Sequence, residues 1–343
     1  MRGGTWNLVE KRKGESWRAA ARRRCRPWYY RIRRPLNILI NRFSPPVLVL
    51  LYHRVCWAKT DPQKLCVTPE NFEEQMRWLS RTFEVQEFER CRVGRRAAIV
   101  VTFDDGYLDN WEVAKPILER HGVPATIFVA TGYVGTSREF WWDELERVFL
   151  TGGDRPRMFS GCVAGKQLTL ETSSPEGLMA AYNYALSLIK TLQVAEREAI
   201  LDQMRVWAGT PATARESHQI MGREELRELA RCSRIGLGGH TVEHQLLSSL
   251  SPDEQWRQIK GSCEQLSGII GREVRTFSYP FGGRSDYNRW SVEVCKSLGL
   301  SRVAANFPGQ LRRWTSHFEI PRMIVRDWNL EMFKEKIGKY MVL

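Results

Sequence analysis

The sequence has no run of about 18 uninterrupted apolar residues, the length a membrane-spanning helix needs. The nearest stretch, Leu36 to Tyr52, is broken by Asn37, Asn41, Arg42, Ser44, Pro45 and Pro46. A polytopic membrane protein is excluded on that ground. CxxC spacing is also missing. The eight cysteines (Cys25, Cys56, Cys66, Cys91, Cys162, Cys232, Cys263 and Cys295) are scattered, which fits reduced thiols better than a disulfide frame. No internal repeat is visible, so repeat arrays and collagen-like chains drop out. Acids are scarce at the start. Residues 1–46 hold 13 Lys/Arg against Glu10 and Glu15, whereas residues 47–343 hold 39 Lys/Arg against 37 acids. The net charge of +13 therefore sits almost entirely in an N-terminal arm, and the body is nearly neutral. Arg recurs through Arg34, and no apolar stretch of roughly 7–15 residues follows the first basic residues, so the arm does not read as a secretory signal.

What the arm does contain is Trp6, Trp17, Trp28, Tyr29, Tyr30 and Phe43 among its arginines. Basic residues interleaved with aromatics suit acidic lipid headgroups; they also suit nucleic acid or a solvated tail. The expectation is a cytoplasmic chain, with the arm able to rest on the inner face of a membrane. The remaining residues are 343 minus this arm, enough for a large core.

From residue 47 short apolar runs alternate with amphipathic stretches. The runs at 47–53, 97–104, 125–131, 234–240, 275–281, 300–306 and 318–325 read as buried strands. Helix signals lie between them: Thr68-Pro69 opens one helix, Gly122 closes another, and Ser251-Pro252-Asp253-Glu254 is a capping-box pattern. About seven strand–helix units suit an α/β fold, either a (β/α) barrel or an open doubly wound sheet. Residues 141–231 break the rhythm and read as a mainly helical insertion. The expected organisation is an arm over 1–46, a barrel over 47–140 and 232–343, and the insertion between.

Polar residues interrupt the strands at matched ends. The run AAIVVTF leads into Asp104 and Asp105, and adjacent carboxylates after a buried strand are costly unless something binds them. The run RIGLGG ends in His240, and His244 follows in an HTVEH pattern that can present two imidazoles to one ion. The first strand ends in Tyr52-His53, and a tight turn forms at Tyr279-Pro280-Phe281-Gly282-Gly283. All four clusters fall at the C-terminal ends of expected parallel strands, where barrel enzymes assemble their sites.

The segments TFDDGY (102–107), HTVEH (240–244) and SYPFG (278–282) resemble the first three motifs of the polysaccharide deacetylase superfamily, the NodB-homology or carbohydrate esterase family 4 group. YHRV (52–55) resembles the members with an active-site His on the first strand. The resemblance implies a distorted (β/α)7 barrel with a helical insertion and a basic N-terminal arm. It implies Asp105, His240 and His244 as ligands of a divalent metal, usually Zn2+, and Asp104 as the general base. It places the backbone N–H of Phe281 at the oxyanion. Where the family's third motif usually opens with Arg, this chain has Ser278, and no LxxH pattern follows near the C-terminus. His53 is therefore the expected acid, with His317 as the alternative, and Arg322 the expected source of the missing guanidinium. The implied reaction releases acetate from an N-acetylated saccharide, a glycan or a lipid-linked precursor. Two other readings stay open: hydrolysis of small cyclic amides at the same site, and a silent carbohydrate- or partner-binding module. The Trp141-Trp142 pair at the start of the insertion reads as core packing or as a wall for sugar rings. Oligomeric state is not readable, and nucleic acid is the weaker partner because the body carries no recognisable reading element.

Overall fold

A computed structural model describes residues 39–341 apart from 42, 152 and 154. The basic arm thus lies outside the described residues up to residue 38. No helix among the described residues is long and apolar enough to cross a membrane.

The strands are β1 (Val47–Tyr52), β2 (Arg54–Val55), β3 (Cys66–Val67), β4 (Glu84–Val85), β5 (Ala98–Phe103), β6 (Ala125–Val129), β7 (Met158–Val163), β8 (Lys166–Glu171), β9 (Ile235–Gly239), β10 (Thr276–Ser278), β11 (Arg302–Ala304) and β12 (Met323–Ile324). The main sheet runs β11-β10-β9-β6-β5-β1-β12, with β4 on the start of β5, and every pair in it is parallel. The segment before β12 closes it. Ile320 bridges to Ala304 of β11, and Val325 donates to the Leu51 carbonyl of β1. The result is the distorted (β/α)7 barrel. Parallel strands need covering on both faces, which explains why β1 and β5 are buried along their whole length and, Thr102 apart, carry apolar or aromatic side chains.

The helices are α1 (Pro69–Thr82), α2 (Lys115–His121), α3 (Trp141–Glu146), α4 (Pro175–Ile189), α5 (Val194–Ala208), α6 (Arg223–Arg231), α7 (Pro252–Ile270), α8 (Arg289–Ser297) and α9 (Leu330–Tyr340). Their ends follow local chemistry. Pro69 opens α1, Gly122 closes α2 in the left-handed region, and Ser251 caps α7 through the Glu254 N–H. The barrel interior below the site is filled by Val47, Val49, Val100 and Phe128, plugged by Phe88 and Cys91 from the 86–96 loop.

The structure departs from the sequence reading in three places. Residues 110–114 form a π-helical turn, not α-helix, before α2. The stretch 318–325 is mostly irregular, with only two residues of strand. The 141–231 segment carries an antiparallel hairpin, β7–β8, and its last helix α6 packs Leu226 and Leu229 into the barrel core. Alternation in the hairpin is weak because only Phe159, Val163, Leu168 and Leu170 face inward.

Buried acids of and beside α3 tie the insertion together, and Asp143 links it to the barrel. Glu139 is held by Arg147 and Arg215, Glu144 by Arg205, and Glu146 by Arg215. Asp143 accepts a hydrogen bond from Tyr107 Oη at 2.7 Å, and burial pushes its carboxyl up to about 8. Between about pH 4 and pH 8 the folded chain keeps a proton there that the unfolded chain releases, so this residue makes stability fall as pH rises through that window. Asp143→Asn should remove that slope. Urea midpoints of variant and parent should agree near the acid end and separate towards the alkaline end, the variant higher; parallel pH profiles would refute the assignment.

Candidate active site

The expected residues converge at the C-terminal mouth of the barrel. Asp104 and Asp105 follow β5, His240 and His244 follow β9, Ser278 ends β10, and Arg322 precedes β12. All of them are buried.

Asp105 Oδ1 lies 3.5 Å from His240 Nε2 and 3.3 Å from His244 Nε2. One ligand atom from each residue falls within 4.8 Å of the others. An N–H···O hydrogen bond sits at about 2.7–3.2 Å. Tetrahedral bonds of about 2.0–2.1 Å to an ion separate neighbouring ligand atoms by about 3.3–3.4 Å. The two spacings to Asp105 match the second geometry. His240 Nδ1 meets the Ser278 carbonyl at 2.7 Å, which can only accept, so Nδ1 carries the proton and Nε2 presents its lone pair to the cluster. The donor set fits a divalent ion.

Asp104 faces a different partner. Arg322 Nη1 donates to its Oδ1 at 2.7 Å and Nη2 to its Oδ2 at 2.6 Å, a two-pronged contact. Nη2 also donates to Ser278 Oγ, and that hydroxyl reaches Asp104 Oδ2 at 3.2 Å. Arg322 Nε is fixed on the Ala305 carbonyl. Burial alone would raise the Asp104 carboxyl; the Arg322 guanidinium and the nearby His240 outweigh it and hold the group below its usual range. The guanidinium that the third motif lacks thus reaches the carboxylate from the segment that closes the barrel. His240 Nε2 lies 3.9 Å from Asp104 Oδ2, so the two carboxylates flank one imidazole.

His53 is half-buried beyond the end of β1, and its Nδ1 is sealed from solvent without a hydrogen-bond partner among the described residues. It lies within electrostatic reach of Asp105 and Asp104, yet burial dominates and lowers its pKa, leaving a neutral imidazole at neutral pH. Its backbone carbonyl accepts from Asn110 Nδ2, and Asp109 ties Arg54 and the Val55 N–H beside it. His317, the alternative acid, is exposed on the closing segment, away from the cluster.

Six non-glycine residues among those described have positive φ, and four of them belong to these turns: Asp105 (78°), Thr241 (65°), His244 (48°) and Phe281 (60°). Such concentration of unfavourable backbone marks a site whose geometry is held by its surroundings. Gln258 Oε1 accepts from the N–H groups of Val242 and Glu243, and Arg197 of α5 donates to the Glu243 carbonyl. Gly132 makes room for the same loop, since a Cβ there would meet the Val242 carbonyl at 2.7 Å. The Phe281 ring packs 4.8 Å from the His244 ring, and its N–H donates to no group among the described residues.

The polysaccharide deacetylase profile matches residues 92–154 and 182–303, more than half of the chain. The chain belongs to the polysaccharide deacetylase family. These are hydrolases of amide bonds in acetylated polysaccharides. YxkH of Bacillus subtilis (strain 168), which carries a polysaccharide deacetylase name, is 27% identical over 285 residues, covering 81% of this chain and 70% of its own. Two solved structures share the fold. The Streptococcus pyogenes deacetylase PplD in complex with acetate has a TM-score of 0.56 at 16% identity, over 87% of this chain and 99% of its own. IcaB from Ammonifex degensii has a TM-score of 0.52 at 16% identity, over 87% and 97%.

Several members of the deacetylase site were not picked out from the sequence. Ser278 reads from the sequence only as a departure, although its hydroxyl bridges Arg322 and Asp104. Asn110 carried no signal beyond lying on the helix after TFDDGY. Of the two readings of the Trp141-Trp142 pair, Trp142 follows core packing: it is buried, stacks on Phe140 at 4.4 Å and stands 4.5 Å from the His244 ring as a wall of the cluster.

Arg322→Met leaves the Asp104 carboxylate buried without its counter-charge and should cost about 3–5 kcal/mol in denaturant unfolding. Adding Asp104→Asn should recover part of that loss. A single variant within about 1 kcal/mol of the parent would show that the pair contributes little.

Proposed function

We propose that this chain hydrolyses the acetamide of an N-acetylated sugar, releasing acetate and a free amine. The observation that carries the reading is the separation of roles between adjacent carboxylates: Asp105 shares its oxygen with two imidazoles, and Asp104 is claimed by a guanidinium. Asp105, His240 and His244 would hold a divalent metal, Zn2+ by family habit, and when bound it would supply Lewis acidity and water made acidic enough to ionise near neutral pH.

The chain's own groups do the rest. Asp104, kept ionised by Arg322, takes a proton from the attacking water. Arg322 and Ser278 fix the carboxylate so that it meets the water in one orientation. The Phe281 N–H is a donor with no partner among the described residues, suited to the oxyanion that develops on the acetamide carbonyl. An amide nitrogen leaves only if protonated, and His53 is the group assigned to deliver that proton. Because burial keeps His53 neutral at rest, the proton it delivers to the amine is the one the attacking water gives up to Asp104. The substrate class we favour is a glycan or lipid-linked saccharide, handled in the cytoplasm at the inner face of the membrane. The basic aromatic composition of residues 1–46 supports that location.

Acetate release should be measured on N-acetylglucosamine oligomers and lipid-linked N-acetylated sugars, with ring opening of small cyclic amides as the competing reaction. A chelator should abolish acetate release and added Zn2+ restore it. Asp104→Asn should lower kcat of the folded protein by about 10²–10⁴. His53→Asn should lower kcat with little change in KM. Turnover indifferent to the chelator and to Asp104→Asn would end this reading.

A further inference from the structure

Parallel strands put all their N-terminal ends at one end of a barrel, opposite the mouth. In this chain those ends are arginine-rich. Arg95 and Arg96 precede β5, Arg231 and Arg234 precede β9, and Arg272 and Arg275 precede β10. All six are exposed. Arg90 of the plug loop joins Arg231, Arg234, Arg272 and Arg275 around one open cleft of about 320 Å3. Glu87, Glu89 and Glu273 share that cleft, but the one ion pair they make with these arginines is Arg90–Glu87, at 4.0 Å and largely in solvent. Arg95, Arg96, Arg231, Arg272 and Arg275 have no carboxylate partner among the described residues. In a body whose overall charge is close to zero, this concentration is local.

The described end of the arm, from residue 39, joins the barrel at the same floor. Asn41 and Ser44 are tied to Arg312, next to Leu311, which bridges to Val47 at the start of β1. Beside this junction stand exposed apolar groups: Leu39 at 57%, Phe43 at 76% and Trp314 at 67% of their full exposure. The exposed Arg313 lies between Arg312 and Trp314. Residues 1–38 upstream hold 12 Lys/Arg and five further Trp or Tyr residues.

We propose that the barrel floor, with the junction formed by the described residues at the end of the arm, is a docking face for an anionic lipid membrane, leaving the mouth turned away from the lipid. Charge complementarity alone would also admit nucleic acid. The aliphatic and aromatic side chains at the arm junction decide for lipid, because such groups lose water contact by entering the headgroup region. Each floor arginine adds to the attraction, and salt weakens it.

The full chain should co-sediment with vesicles of phosphatidylcholine plus phosphatidylglycerol, not with phosphatidylcholine alone, and less so as salt rises. Arg231→Glu/Arg275→Glu should weaken binding on the order of tenfold or more. Arg223→Glu/Arg289→Glu makes the same charge change at helix starts on the mouth side and should leave binding near that of the parent. Should the floor variant fail to fold, Arg95→Gln/Arg96→Gln, in an exposed loop, reads the same face. Equal weakening by floor and mouth variants would reduce the effect to net charge and overturn the proposal. So would full binding by both floor variants, or floor-dependent binding to duplex DNA in preference to anionic vesicles. Vesicle binding is read without substrate, so the inference stands or falls apart from the deacetylase reading.

Discussion

Two carboxylates on neighbouring residues are buried at the end of β5, and each demands a compensating group from far along the chain. A buried, unpaired charge would be too costly to keep. Asp105 finds imidazoles from the turn after β9, and Asp104 finds a guanidinium from just before β12. Those partners belong to strands on both sides of β5 in the sheet order. Arg322 reaches Asp104 only because the closing segment has come round to β1, with Arg322 Nε fixed on the Ala305 carbonyl. Closure of the barrel and polarity of the site are one constraint.

Backbone strain follows from the same demand. Asp105 must turn its carboxylate away from Asp104 and towards the imidazoles immediately after a fully extended strand, and it does so with φ of 78°. His244 and Phe281 are held in the left-handed region opposite it. Surrounding contacts pin these conformations: Gln258 and Arg197 grip the 242–243 backbone, and Trp142, Phe140 and Phe281 pack round His244. The insertion is therefore part of the site's support, since Arg197 and Trp142 both come from it.

The barrel was legible in the sequence because its strands are buried on both faces and written as continuous apolar runs with polar residues at their C-terminal ends. The metal-type triad was legible for a related reason: Asp and His are conspicuous where a buried strand ends. Arg322 was legible only by resemblance, as a guanidinium needed to replace the one missing at Ser278. Other parts were not readable. Asn110 acts on the backbone of His53, and backbone contacts leave no signature in side-chain pattern. The β7–β8 hairpin was hidden because a two-stranded ribbon with one thin apolar face lacks the run length that marks the main strands. The end of the insertion was misplaced because α6 looks like its helical neighbours until its buried face is known to meet the barrel.

The opposition of mouth and floor constrains any function that joins deacetylation to a membrane. A strand of six residues spans about 20 Å, and the Asp–His cluster stands at its far end from the arginines. With the floor on lipid, a sugar attached directly to a lipid carrier lies on the wrong side of the barrel to enter the mouth. The two proposals are compatible if the acetamide is carried well out from the membrane, on a saccharide of several units or on a glycan delivered from solution. Chain length of the substrate then becomes a variable that geometry alone makes important: short lipid-linked sugars are excluded by position even where their acetamide chemistry is right, and longer ones are admitted.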